Sequence, residues 1–277
     1  MGERCVVLFS DYNFIHKALN NIYELRTIGK YTDTIVLVTD NNTIDKINND
    51  EKFYASIRNY SITIKVFDNI DLTHILNKIN QRPFSDSIDQ RELTKTFQWH
   101  KIHIFDVYFK QWKYIFYLDV GMHIYNPIEP FWEIIETYSD NLIAHSDTYP
   151  LFKNNYKNQF NKDSYPEVYK ELENLVDLDT DNFQSGILLF SSNLIQENTK
   201  NDLIYYSNKF HISKTNEQGI MNMYFNGINK IWKPLPVFWN GTYTYDYCAR
   251  NGLQNSDYIM TKYLPSNFSH LVRPDGV

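Results

Sequence analysis

The sequence predicts an α/β fold with a mostly parallel central sheet flanked by helices, in a single domain over 1–277. The first observation is a set of continuous apolar runs, CVVLF (5–9), TIVLV (34–38) and YIFYL (114–118). Such runs do not alternate, which suits strands covered on both faces. The second is that helix-period segments lie between them, an alternation that favours parallel neighbours joined by right-handed crossovers. The third is negative: no internal repeat and no proline- or glycine-rich linker divides the chain.

Taken in order, CVVLF is the first strand. In the next segment Ile15, Ala18, Leu19, Ile22 and Leu25 recur at helical spacing, and Gly29 stands where a helix C-cap belongs. TDTIVLVTD is a second strand ending in Asp40, DEKFYASIRNY a short helix and SITIKVFDNI a third strand. Over 92–111, Ile102, Phe105, Tyr108 and Phe109 share a stripe and predict one long helix, feeding YIFYL and a turn with Asp119 and Gly121. NLIAHSD and SGILLFSS read as strands. The polar stretch between them, about 150–181, is either partly helical at YPEVYKELENLV or a lid-like insertion. NEQGIMNMYFNG opens another helix, and KIWKPLPVFWNGTYTY is strand-like but interrupted by proline.

With 277 residues, 43% hydrophobic, the chain is long enough for a substantial core. A formal net charge of −6 disfavours a general nucleic-acid binder, though local basic pockets stay open. Two cysteines without ligand spacing disfavour a zinc site or a disulfide framework and favour a reducing compartment. The N-terminal apolar run is too short for a signal peptide and no 18-residue apolar run spans a membrane, so the expected location is cytoplasmic. The oligomeric state stays open, a homodimer included.

The common phosphate cradles are missing. FSDYNF follows the first strand in place of GxGxxG, and GxxxxGK[ST], GxSxG and HExxH do not occur. What remains is an acid, Asp119, at the carboxyl end of a buried strand, the edge at which open α/β sheets bind ligands. A nucleotide held there without a glycine-rich loop needs a cation beside its phosphates.

Six segments in order resemble the glycogenin-type glycosyltransferases. They are SDYNFIHKALNNIYELRTIGKYTDTIVLVTD, WHKIHIF followed by YIFYLDVGMHIYNPI, IAHSD, DNFQSGILLF, NEQGIMNMYF, and VFWN with FSHLVR. The resemblance covers about 5–273 and implies a GT-A fold, a UDP-sugar donor, Mn²⁺ or Mg²⁺, and hexose transfer to a hydroxyl acceptor with retention. It implies a nucleotide-binding half over 1–125 and a sugar- and acceptor-binding half over 126–277.

By position it implies that Tyr12 packs on the uracil ring and that Lys101 approaches the phosphates or sugar, with Lys95 as a rival. Asp147 is expected to bond sugar hydroxyls, and Gln184 to stand in for the family's Asn, one methylene longer. Gly186 lets the backbone approach the ligand or marks a strand bulge. Glu217 and Gln218 match an Asp-Gln pair near the anomeric carbon, although an acid at a helix N-terminus is favoured in its own right. Asn240 is expected to line the acceptor side, Arg273 to meet phosphate, and Asp119 and His270 to bind the metal, with His123 a weaker substitute. The chain ends four residues after Arg273, so the resemblance implies a closing segment that is incomplete or has been cut off.

The family's Asp-x-Asp is Asp119-Val120-Gly121 here, with Gly121 leaving room for a ribose or sugar hydroxyl. Small hard cations are held by one or two carboxylates plus substrate phosphates and water. The expectation is therefore metal that binds well only together with nucleotide. The alternative is a catalytically degraded binding or scaffold protein of the same fold, motivated by Gly121, Gln184 and Glu217 together. A nucleotidyltransferase is disfavoured by the missing glycine loop, and a glycoside hydrolase by the lack of two paired acids. Neither the sugar nor the acceptor is readable from the sequence.

Overall fold

A computed structural model of the chain describes residues 2–48, 50–81, 91–147, 155–247 and 253–262. The principal sheet has seven strands in the order β3-β2-β1-β4-β7-β6-β8. They are β1 (Gly2–Phe9), β2 (Thr34–Thr39), β3 (Ile62–Val66), β4 (Trp112–Leu118), β6 (Leu142–Ser146), β7 (Phe183–Ser191) and β8 (Trp232–Pro234). β3, β2, β1 and β4 are parallel, and β7 runs antiparallel to both β4 and β6. A second sheet, β5-β11-β10-β9, joins β5 (Met122–Ile124), β9 (Phe238–Trp239), β10 (Thr242–Tyr247) and β11 (Tyr258–Lys262).

The apolar runs are covered on both faces, as their continuity predicts. Alternate β1 residues divide between two cores, Cys5, Val7 and Phe9 in one and Val6 and Leu8 in the other. β4 does the same, with Ile115 and Tyr117 opposite Tyr114, Phe116 and Leu118. From β1 the chain winds outward through β2 and β3, then returns to place β4 on the other side of β1. That reversal is the topological switch point of the sheet. Because β6 is parallel to β4 while β7 is antiparallel, the carboxyl ends of β4 and β6 share one edge with the amino end of β7. Residues 119, 147 and 183–186 therefore meet there.

Helices α1 (Ile15–Thr27), α2 (Asn41–Ile47), α3 (Glu51–Asn59), α4 (Thr73–Gln81), α5 (Arg91–Thr94), α6 (Glu129–Thr137), α7 (Pro166–Leu175), α8 (Thr199–Lys209) and α9 (Glu217–Met221) are the α-helices of the described residues. Asp40, the acid ending β2, is an ordinary N-cap: its carboxylate accepts from Thr43 N at 2.8 Å. The stretch left open between two readings at 150–181 is helical over Pro166–Leu175, with proline in the first turn.

Two expectations are corrected. The stretch 92–111 is not one long helix but a short α5 followed by 3-10 segments Thr96–Phe105 and Val107–Gln111. The break is at Asp106, which is extended (φ −73°, ψ 144°) and accepts from Tyr108 N. Every residue from Trp99 to Phe105 is buried, so the segment has no solvated face to set a helical stripe. At the end of α1 the left-handed residue is Lys30 (φ 56°), not Gly29. Gly29 serves close approach instead, since a Cβ there would lie 2.9 Å from the Leu25 carbonyl oxygen. Past α9 the helix widens into a π-helical turn over Asn222–Ile228.

Candidate functional site

A buried cluster of two carboxylates and two ammonium groups occupies the shared edge. Lys101, delivered by the 3-10 segment Thr96–Phe105, is its centre and is 6% exposed. Its Nζ lies 3.0 Å from Asp119 Oδ1, 2.8 Å from Glu217 Oε1 and 3.1 Å from Ser185 Oγ. These three partners account for the three donors of an ammonium group. Asp119 also accepts from the Tyr117 hydroxyl, and its Oδ2 stands 3.3 Å from Lys262 Nζ on β11.

Ser185 ties this group to α9. Its hydroxyl donates to Glu217 Oε1 at 2.9 Å, and its backbone N–H donates to Gln218 Oε1 at 3.0 Å. Glu217 is 1% exposed, and its other oxygen, Oε2, is buried with no hydrogen-bond partner. Burial alone drives Lys101 toward its neutral form, but the charges of Asp119 and Glu217 outweigh that and hold it above the usual lysine value. Burial likewise pushes Asp119 up, and Lys101 and Lys262 more than reverse it, holding the carboxylate well below its usual range. Tyr117 is raised by burial and by the adjacent Asp119 charge.

The strand geometry explains how β7 contributes. The β6–β7 register places Ala144 opposite Leu188, but Ser146 opposite Phe183, where regular pairing would put Gly186. Gln184, Ser185 and Gly186 are therefore the bulged residues, and the Gln184 and Ser185 side chains meet Asp147 and Glu217 there. Gly186 is within this bulge and against Asp119: its carbonyl accepts from Asp119 N at 2.8 Å, and a Cβ would lie 3.3 Å from Asp119 Oδ2. Gln184 Nε2 donates to Asp147 Oδ1 at 2.7 Å, so these two predicted sugar contacts are paired with each other.

Gly121 has φ +91°, with its N–H bonded to Asn21 Oδ1 at 2.8 Å; Asn21 Nδ2 donates in turn to the Met122 carbonyl. The position where the resemblance expects a second acid thus has a backbone conformation that L side chains rarely adopt. Tyr12 is 44% exposed just past β1, in a 3-10 turn capped by Asp11, and Lys46 Nζ lies 5.4 Å from its ring centroid.

Other predicted residues stand apart from the cluster. Lys95 is exposed, so Lys101 is the buried lysine at Asp119. Asn240 (φ 45°) donates to Glu133 Oε2 on α6 at 2.8 Å, and His123 on β5 meets Glu24 at 3.4 Å. His270 and Arg273 lie outside the described residues. Sequence reasoning missed Ser185, Asn21 and Lys262. Ser185 had a signal, lying between Gln184 and Gly186; the other two are single polar residues that only the fold brings to Asp119 and Gly121.

A divalent cation at Asp119 needs hard oxygen ligands in an open arrangement. Here both carboxylate oxygens already bond ammonium groups, Gly121 offers no side chain, and among the described residues no group of three or more His, Cys, Asp or Glu gathers. Among the described residues, this donor set does not fit a cation while Lys262 holds its place.

A doubly wound sheet with an acid at its switch point and a bulged antiparallel strand beside it is the architecture of the GT-A glycosyltransferases. Solved structures bear this out. The galactosyltransferase LgtC, in complex with donor and acceptor sugar analogs, matches with TM-score 0.61 at 10% identity, covering 95% of this chain and 87% of that chain. Mouse xyloside xylosyltransferase 1, in its apo form, matches with TM-score 0.51 at 10% identity, covering 96% of this chain and 100% of that one. Core-mannan synthase A from Aspergillus fumigatus, in an Mn/GDP form, matches with TM-score 0.50 at 10% identity, over 84% and 73%. At such identity the likeness establishes the fold. No protein-family model and no curated protein matches the sequence.

Proposed function

We propose that this protein is a glycosyltransferase that moves a hexose from a UDP-sugar to a hydroxyl acceptor with retention of configuration. The observation that carries the reading is the Asp119–Lys101–Glu217–Ser185 cluster at the switch-point edge of a GT-A sheet. Buried charge of this kind is costly unless paired, and open α/β sheets bind their ligands at this edge.

The residues divide the work as follows. Lys101 holds Asp119 and Glu217 on either side of its ammonium and fixes their orientation. The orphan Oε2 of Glu217 is an acceptor awaiting a donor, which a sugar hydroxyl supplies. The Gln184–Asp147 pair offers an amide and a carboxylate to further hydroxyls. Tyr12, half exposed, offers an aromatic face to the base. Transfer then rests on positioning the acceptor hydroxyl and on cationic stabilisation of the leaving diphosphate.

A second reading, a binding protein of the same fold without turnover, is favoured by how fully the polar groups satisfy one another: Lys101 has three partners, and Gln184 is paired with Asp147. Incubation with UDP-glucose, UDP-galactose and UDP-N-acetylglucosamine, each with and without Mn²⁺, separates the two. Release of UDP is expected with at least one donor, together with a raised melting temperature, because a ligand specific to the native state stabilises it. A melting shift without UDP release favours the binding protein, and neither effect with any donor removes the transferase reading.

A further inference from the structure

We propose that Lys262 is the cation of the donor site. Held on Asp119, its ammonium takes the diphosphate of the nucleotide sugar at the place where a bridging divalent cation would stand, so donor binding needs no added metal. This rests on the transferase reading above.

Four observations support it. Lys262 Nζ is 3.3 Å from Asp119 Oδ2, the oxygen not used by Lys101. The position is built into the fold: β11 pairs with β5 so that Lys262 lies opposite Met122, directly after Gly121. The ammonium therefore reaches Asp119 beside the residue where the second acid of the resemblance is absent.

Lys101, the lysine that the resemblance assigns to the phosphates, is already bonded to Asp119, Glu217 and Ser185. An ammonium has only three donors, so Lys101 cannot take a phosphate oxygen without releasing a buried partner. Lys262 is differently placed, with its side chain 28% exposed at the rim of the same cluster. A divalent cation that takes Asp119 Oδ2 has to displace Lys262 from it. A diphosphate needs no displacement, because a lysine bonded to one carboxylate oxygen still acts as a point charge toward a phosphate.

The test is nucleoside diphosphate binding, measured calorimetrically with UDP and GDP, first in EDTA and then with Mn²⁺. Wild type is expected to bind one of them in EDTA, with an affinity that Mn²⁺ changes by less than about threefold. Lys262→Gln is expected to lose about tenfold or more, equivalent to about 1.4 kcal/mol, while Lys262→Arg retains most of the affinity. Melting curves without ligand report whether each variant is folded. If Lys262→Gln does not fold, the EDTA comparison on wild type decides. Binding that appears only with Mn²⁺, or that Lys262→Gln leaves unchanged, overturns the role of Lys262 and leaves the transferase reading standing. No binding of either diphosphate in either condition removes both.

Discussion

Lys101 is the residue on which the cluster depends, because it is the ammonium group that Asp119 and Glu217 share. Removing one partner of a buried ion pair leaves an uncompensated charge and costs about 3–5 kcal/mol. Lys101→Ala is therefore expected to lower unfolding free energy by about that amount, measured by urea denaturation at neutral pH. A loss below about 1 kcal/mol would mean that water replaces the ammonium and that the cluster is open. Gly121 is the second residue with a distinct energetic role. At φ +91° an added Cβ is strained although space exists, so Gly121→Ala should cost about 1–2 kcal/mol. The same denaturation series checks it, and an unchanged midpoint would show that the turn relaxes. The acid at the end of an apolar run, Asp119, was legible in the sequence. Its partners were not: Lys262 is 143 residues away, and Asn21 is 100 residues from Gly121, separations that no local pattern encodes.

The 3-10 segment Thr96–Phe105 shows where local reading fails and why. A stripe of apolar residues predicts an α-helix only when the opposite face is solvated, and here Trp99 to Phe105 are buried all round. Buried within it, His103 stacks on Phe67 with ring centroids 4.6 Å apart. Burial, reinforced by the Lys200 and His100 charges, pushes it down to about 3. A histidine whose folded value is depressed is neutral in both states above its unfolded value of about 6.5. Below that, the unfolded chain takes up a proton that the folded chain refuses, so stability falls with pH down to about 3. Between pH 7 and 5 His103 alone should remove about 2 kcal/mol of stability. His103→Phe keeps the stacking and should flatten this part of the profile in pH-dependent melting; an identical slope in the variant would assign the effect to His100 or His211, both also lowered by burial. The strands were more legible than this segment because their continuous apolar runs reflect cover on both faces. Their direction was not, and the antiparallel β7 reads no differently from its parallel neighbours.

On the scale of the whole molecule, the candidate site exists only because separate elements converge on one edge. β4 brings Asp119, the bulge of β7 brings Ser185, α9 brings Glu217 and Gln218, and the second sheet brings Lys262. The segment order was legible, and KIWKPLPVFWNGTYTY read as strand-like where β9 and most of β10 lie, but the pairing of these short strands with β5 and β11 into a second sheet was not. Convergence has a measurable consequence. A ligand seated against all four elements suppresses local openings in each of them, whatever their separation along the chain. Hydrogen exchange with and without a saturating nucleoside diphosphate should show added protection at 183–187, 217–222 and 258–262 together. α7 has most of its residues solvated and supplies none of the cluster's side chains, and should be unchanged. Protection confined to the amino-terminal strands β1 to β3 would place the nucleotide on the other side of the switch point. Protection at 258–262 that is absent from a Lys262→Gln variant, while 217–222 stays protected, would show that the second sheet joins the site through that one ammonium group.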